Sequence, residues 1–343
     1  MQRDISKLSP QLRRKQSLEL FACRPKPLSD EMLSSWLLRI ALQNGMKPQS
    51  FCNMLWPRQS FWNRSIDRYV SLEMMTALSV ATATPLANVR QLSLASYEGV
   101  LFPAIVRNGN TPWVLPLGIF HRKFLRSGLV FCPSCLATGE PYFRRRWRFS
   151  FATVCLTHAV ALQDSCPECL APIQPHRVEM GNRNPYTVCP VYLCSTCRYD
   201  LRSMPDSDQA KSSELKCERA SADLLKLAVP QLRIASEHFA LLRHLLSMLA
   251  SRRARLRPFR EAVSLVTQQP IVIGWSHQEN ISLSFDAMPL AKRRVFLGAA
   301  YWLLEDWPYR FLNLARSSNL RISDLTRDFP NMPQTYAAMA AWL

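Results

Sequence analysis

Eight residues in the middle of this chain fall into four pairs, each with two residues between its members. Cys132-Pro133-Ser134-Cys135 is a C-x-x-C, and Cys155-Leu156-Thr157-His158 is a C-x-x-H. Cys166-Pro167-Glu168-Cys169 and Cys194-Ser195-Thr196-Cys197 are two further C-x-x-C pairs. A C-x-x-C turn presents two thiolates on one side of a tight knuckle, and two knuckles supply the four donors that tetrahedral Zn²⁺ takes. Pairing successive knuckles predicts one site from Cys132, Cys135, Cys155 and His158. The second site is then Cys166, Cys169, Cys194 and Cys197; an interleaved arrangement would use the same eight residues. Four protein ligands leave no open coordination position. The two expected zinc ions are therefore structural and substitute for a core too small to hold the segment together.

Competing readings of these cysteines are weaker. Disulfides need an oxidising compartment, and Met1-Gln2-Arg3-Asp4-Ile5-Ser6-Lys7 has no apolar signal-peptide region. A thioredoxin-like motif needs only one C-x-x-C beside a βαβ pattern. Cys189 lies close in sequence to the second set but lacks a partner at the two-residue spacing. Cys23, Cys52 and Cys217 read as ordinary small apolar residues. His121, His176, His238, His244 and His277 have no ligand-like neighbour.

The charge is strongly basic. Lys and Arg number 43 against 25 Asp and Glu, a formal +18 over 343 residues. Seven ligand thiolates and two Zn²⁺ bring this to about +15. The excess is +7 over residues 1–120, +5 over 121–200, zero over 201–220 and +6 over 221–343. A spread of this kind fits a body lying along nucleic acid or a ribonucleoprotein better than a tethering tail. Two clusters stand out as contact candidates: Arg144, Arg145, Arg146 and Arg148, interleaved with aromatics, and Arg252, Arg253, Arg255 and Arg257, with Arg243 and Arg260 nearby. For the first cluster, Phe143, Trp147 and Phe149 packed near zinc is the simpler expectation. For the second, a helix C-terminus would already favour the cations. No P-loop, G-x-S-x-G elbow, H-E-x-x-H or G-x-G-x-x-G occurs, so NTP hydrolysis, serine hydrolysis and dinucleotide binding lack support, and no residue is assigned to catalysis. No apolar run approaches ~18 residues.

The pattern predicts a mainly α chain with a small β-containing double zinc-ribbon segment. Residues 1–22 are expected to be a flexible basic extension, and 23–125 an N-terminal helical, helix-turn-helix-like domain. Residues 126–202 form the double zinc-binding segment, 203–220 a linker, and 221–343 a C-terminal helical domain. Ser29-Asp30-Glu31 is expected to cap a first helix carrying Leu33, Trp36, Leu37, Ile40 and Ala41, with Gly45 as its stop. Helices are predicted over 49–55, 71–79 and 86–92, the last two flanking a Thr84-Pro85 break. Strand-like pieces are expected at 142–151 and 190–193. A helix over 238–250 is expected to continue through the arginines and stop at Pro258. Further helices are expected over 295–304, 311–315 and 322–329.

Two stretches resemble the TniQ/TnsD family of transposition target selectors. One is Arg24-Pro25-Lys26-Pro27-Leu28-Ser29-Asp30-Glu31 leading into Ser34-Ser35-Trp36-Leu37-Leu38-Arg39-Ile40-Ala41 and Asn44-Gly45. The other is the order Cys132/Cys135, Trp147-Arg148-Phe149, Cys155/His158 and Cys166/Cys169. Together they cover roughly residues 22–200. Asp306-Trp307-Pro308 followed by Phe311 resembles a family ending more weakly.

The resemblance implies an adaptor in the bacterial cytoplasm, associated with the nucleoid, that marks an insertion site and recruits a TnsC-like AAA+ ATPase and its transposase. Some members read DNA directly. Others ride, often as a homodimer, on an RNA-guided Cascade complex, touching its crRNA-processing and backbone subunits. The opening around residues 24–31 and the modest length resemble the Cascade-associated kind. The alternatives are a direct, sequence-specific DNA binder of the TnsD kind, a zinc-dependent nuclease or recombinase, and, more weakly, a zinc-ribbon transcription factor.

Overall fold

A computed structural model describes residues 20–57, 61–63, 65–107, 109–117, 119–120, 123–124, 126, 128–177, 189–204, 208–226, 232–272, 284–327, 329 and 332–342. Most of the expected 1–22 extension, together with His121 and His277, lies outside these residues. The protein is mainly helical, and its named strands are two short antiparallel hairpins. The chain divides into two compact units that interleave in sequence. One comprises Met1–Ser96, Tyr142–Arg145 and Pro175–Val191; the other comprises Tyr97–Pro141, Arg146–Gln174 and Tyr192–Leu343.

The first unit is built around α1 (Leu33–Gln43), in which every residue from Leu33 to Ala41 is buried. A helix buried all round must satisfy its polar residues internally. The sequence places the cap at residues 29–31, but Met32 occupies the N-cap position and gives no side-chain cap. Distant residues take over: Leu33 N–H donates to the Leu92 carbonyl (3.1 Å), and Ser34 N–H donates to the Asp67 carboxylate (2.8 Å). Glu31 is instead buried, and its carboxylate accepts from Arg39 (2.6 Å), Ser35 (3.0 Å) and the Leu28 amide (2.9 Å). Burial raises the Glu31 pKa, although the Arg39 guanidinium opposes the shift. The residues 24–27 segment crosses α1, with Trp36 Nε1 donating to the Pro25 carbonyl (2.8 Å). Phe21 is packed as well, its ring 5.1 Å from that of Phe51.

Three helices follow: α2 (Pro48–Leu55), α3 (Leu72–Thr82) and α4 (Leu86–Gln91). Ser71 caps α3 through Met74 N–H, and Ala83 ends it in the left-handed region at φ 49°. The pair α3–α4 around Thr84-Pro85 reproduces the helix-turn-helix-like outline. Ser35 Oγ accepts from Phe143 N–H (2.9 Å), and Met32 N–H donates to the Phe143 carbonyl (3.0 Å), which fixes residues 142–145 to this unit.

The second unit carries hairpins β1–β2 (Ile119–Phe120, Lys123–Phe124) and β3–β4 (Val154–Cys155, Val160–Ala161), with the short helix α5 (Pro133–Ala137) between them. The expected strand over 142–151 is instead a 3₁₀ turn at Arg145–Arg148, followed by residues 147–151 buried in unbroken succession rather than in the alternation of a half-buried strand. Trp113, Phe149, Phe151, Phe239 and Phe285 form the aromatic core, with Trp113 and Phe151 centroids 5.6 Å apart. The expected linker over 203–220 instead contains most of α6 (Ser212–Leu224). Its polar residues look like a linker in sequence, but Glu218 and Ser221 are buried and bonded to Arg146 and Tyr301.

The rest is helical: α7 (Leu232–Leu249), α8 (Arg257–Thr267), α9 (Leu290–Glu305), α10 (Tyr309–Ser317), α11 (Ile322–Thr326) and α12 (Gln334–Ala340). The expected continuous helix through the arginines is broken. α7 ends at Leu249, and Pro258 sits in the first turn of α8 rather than terminating a helix. A proline lacks only an amide that a helix start leaves unbonded anyway, so it begins a helix without cost.

His244 on α7 is buried, with its ring 3.9 Å from Tyr336 and 4.9 Å from Phe329. Its Nε2 has no hydrogen-bond partner among the described residues, and burial pulls its pKa down to about 4. Between that value and the unfolded value of about 6.5 the unfolded chain binds more protons, so stability falls as pH falls. Lowering pH from 7 to 5 should remove about 2 kcal/mol through this side chain alone. Urea unfolding of wild type and His244→Phe at both pH values tests this; the variant should lose correspondingly less.

Candidate metal centres

The predicted ligands meet in two clusters, and within each all four donor atoms lie within 4.8 Å of one another. In the first, Cys132 caps α5 and Cys135 lies inside it, Cys155 is on β3, and His158 is in the β3–β4 turn. Cys135 and Cys155 sulfurs are 3.6 Å apart, and His158 Nδ1 is 3.5, 3.3 and 3.6 Å from Cys132, Cys135 and Cys155. In the second, Cys166–Cys197 and Cys169–Cys194 sulfur separations are 3.6 and 3.7 Å. A tetrahedron of sulfurs about 2.3 Å from a central zinc has edges of about 3.8 Å, so these donor sets fit that ion. Successive knuckles pair, the interleaved arrangement is not the one formed, and Cys189 is not among the four donors of the second cluster.

The local fold explains the convergence. In the second cluster both knuckles have the same backbone. Cys166 N–H donates to the Ala171 carbonyl (3.0 Å) and Leu170 N–H to the Cys166 carbonyl (3.0 Å). Cys194 N–H donates to Tyr199 (2.9 Å) and Arg198 N–H to Cys194 (2.9 Å) in the same way. The fifth residue of each turn is left-handed, Leu170 at φ 57° and Arg198 at φ 65°, and Ala159 repeats this after Cys155 at φ 53°. None is glycine, so the left-handed residue in each turn carries no sequence signal of its own, and only the cysteine spacing marks the knuckles.

Electrostatics favour a cation in both clusters. The thiols of Cys132 and Cys135 donate to Cys155 and pull its pKa far down, while Cys135 is pushed far up by Cys132 and Cys155. Three sulfurs this close cannot all ionise against one another unless a positive ion stands between them. Burial pushes Cys166 up to about 12. Burial opposes Cys194 ionisation too, but the amides of Cys197 and Thr196 and the neighbouring thiols outweigh it and lower its pKa. The first cluster is the more enclosed: its three cysteines are buried and His158 is half-buried, whereas Cys169 is half-buried and Cys197 exposed in the second. When bound, zinc would supply cross-linking charge at these positions.

The candidate contact arginines divide. Arg145 bonds to Asp30 (3.2 Å), to Ser96 and to the Gln91 carbonyl. Arg146 pairs with buried Glu218, and Arg148 is itself buried, donating to the Leu115 carbonyl (3.4 Å). Arg144 lies over the Tyr142 ring at 4.8 Å. Phe143, Trp147 and Phe149 are buried, as the simpler expectation held. By contrast, Arg252, Arg253, Arg255 and Arg257 are exposed. Sequence reasoning missed the buried cations Arg39 and Arg293; Arg293 donates to the Ser150 carbonyl (2.5 Å), and only the surrounding fold reveals it.

Two closed, thiolate-rich donor sets in a helical protein are the arrangement by which a metal would serve as scaffold rather than reaction centre. Residues 22–162 match the TniQ family model, in line with the resemblance seen in the sequence over this stretch. The match takes in the first cluster whole and ends before Cys166. No curated protein matches the chain. No helix among the described residues is long and apolar enough to cross a membrane.

Two outcomes test the centres. Purified protein should hold two zinc ions, with Cys132→Ser and Cys166→Ser each lowering the content to one, read by elemental analysis. Leu170→Gly should stabilise the zinc-loaded protein by roughly 0.5–1 kcal/mol in urea, because Leu170 is 76% exposed and forfeits no burial.

Proposed function

We propose that this protein is a non-catalytic targeting adaptor for DNA transposition, linking an RNA-guided Cascade complex to a TnsC-like AAA+ ATPase and its transposase. The observation that carries the reading is the TniQ match over residues 22–162. The closed donor sets support it, since four side chains around each ion leave no coordination position for a substrate or water. The opening segment that resembles Cascade-associated members, residues 24–31, is an anchored part of the first unit. Lys26 Nζ donates to the Ala83 carbonyl (2.8 Å), and Glu31 is enclosed by Arg39 and Ser35. On this reading the protein acts as a homodimer touching the crRNA-processing and backbone subunits, and target sequence is read by the guide.

Affinity purification of the tagged chain from cells expressing Cascade and guide tests the reading. Co-purification of crRNA-loaded Cascade, and capture of the ATPase only in its presence, is the expected result. Tight, sequence-selective DNA binding by the protein alone would replace Cascade guidance with direct target reading. DNA cleavage in Mg²⁺ would overturn the adaptor reading.

A further inference from the structure

The segment from Ser251 to Arg257 joins α7 to α8 and carries Arg252, Arg253, Arg255 and Arg257, all exposed. It is held from beneath. Leu256 and Phe259 are buried, and the Phe259 ring packs 5.1 Å from that of Phe311. Arg260, only 9% exposed, donates to the Ser251 carbonyl (2.5 Å) and the Arg253 carbonyl (3.4 Å). The loop therefore presents its guanidinium groups from a fixed backbone, with a further cation beneath them.

The helix dipole does not explain this cluster. Arg252 and Arg253 follow the end of α7, where cations are favoured, but Arg255 and Arg257 lie at the start of α8. A helix start carries positive partial charge and favours anions. The ion pairs of the two arginines at the start of α8 are exposed: Arg255 reaches Asp324 (3.3 Å) while 62% exposed, and Arg257 reaches Glu261 (2.7 Å) while 73% exposed. Exposed pairs of this kind exchange readily for a stronger anion. Arg321 and Arg327, flanking Asp324, are also exposed and enlarge the positive surface.

We propose that Arg252, Arg253, Arg255 and Arg257, with the first turn of α8, form a binding surface for the phosphate backbone of duplex DNA, engaged without regard to base sequence. The segment contains no aromatic residue, and the nearby Phe329 ring is covered by the Arg253 guanidinium at 5.1 Å. It offers phosphate contacts but no platform for stacking unpaired bases, which favours a duplex over a single strand. This surface stands independently of the Cascade reading.

The test is fluorescence anisotropy with the zinc-loaded full chain and short labelled duplexes of two unrelated sequences, across a salt series. The variant replaces all four arginines: Arg252→Gln, Arg253→Gln, Arg255→Gln and Arg257→Gln. Wild type should bind both duplexes alike. The variant should bind both at least ~10-fold more weakly, with the slope of log K against log salt reduced by about 3. The corresponding four Arg→Lys changes should restore the slope, and Arg257→Glu alone should weaken binding if the fourfold Gln variant fails to fold. Unchanged affinity and slope in the variant overturn the proposal. Selective binding of one duplex, or tighter binding of single-stranded RNA than of duplex, overturns it as well.

Discussion

The middle of the protein depends on bringing like-charged sulfurs to within about 3.8 Å of one another, the spacing a tetrahedral ion imposes. Without a cation that arrangement is self-repelling, and within the first cluster the ionisation of Cys155 comes at the expense of Cys135. With a cation, the same crowding cross-links four points of chain and fixes knuckles that have little regular structure of their own. β3 and β4 are two residues each, and α5 is five. A metal held there would substitute for the extensive ladders and apolar layers that hold larger domains.

Elsewhere buried charge has a comparable organising role. Glu31–Arg39 in the first unit, and Arg146–Glu218 and Arg243–Asp286 in the second, are ion pairs with at least one member enclosed. Such pairs add little net stability against desolvation, but removing one partner strands the other, so they favour one arrangement over its alternatives. Asp286 also accepts from Ser150 (2.6 Å), and the Ser150 carbonyl accepts from Arg293, which ties residue 150 to α9 and to the 3₁₀ turn before it. Part of the formal positive charge is thus internal. Other cations, such as Arg24, Arg90, Lys216 and Arg233, are exposed across the chain, and the 252–257 segment adds four exposed arginines within six residues.

Both readings of function rest on this separation. The two donor sets are closed, and ions held there would be enclosed by protein donors and belong to the scaffold. On the proposed reading, contact with partners falls to surfaces around them, the exposed arginine loop before α8 among them.

The sequence alone determined the eight donors, the mainly helical class and the TniQ likeness, while the successive rather than interleaved grouping of the donors was settled by the tertiary structure. A two-residue spacing fixes which sulfurs share a knuckle, and helical periodicity is a local property. α1, α3 and α9 were legible for the same reason. Tertiary structure decided what local chemistry cannot encode. The N-terminus of α1 is completed by Leu92 and Asp67 rather than by the adjacent Ser29-Asp30-Glu31. Residues 212–224 form a helix despite a linker-like composition, because Glu218 and Ser221 find partners across the unit. Arg144, Arg145, Arg146 and Arg148 look alike in sequence, yet Arg148 is buried and Arg146 anchors Glu218, since a guanidinium's role depends on which carboxylates and carbonyls folding brings within its reach.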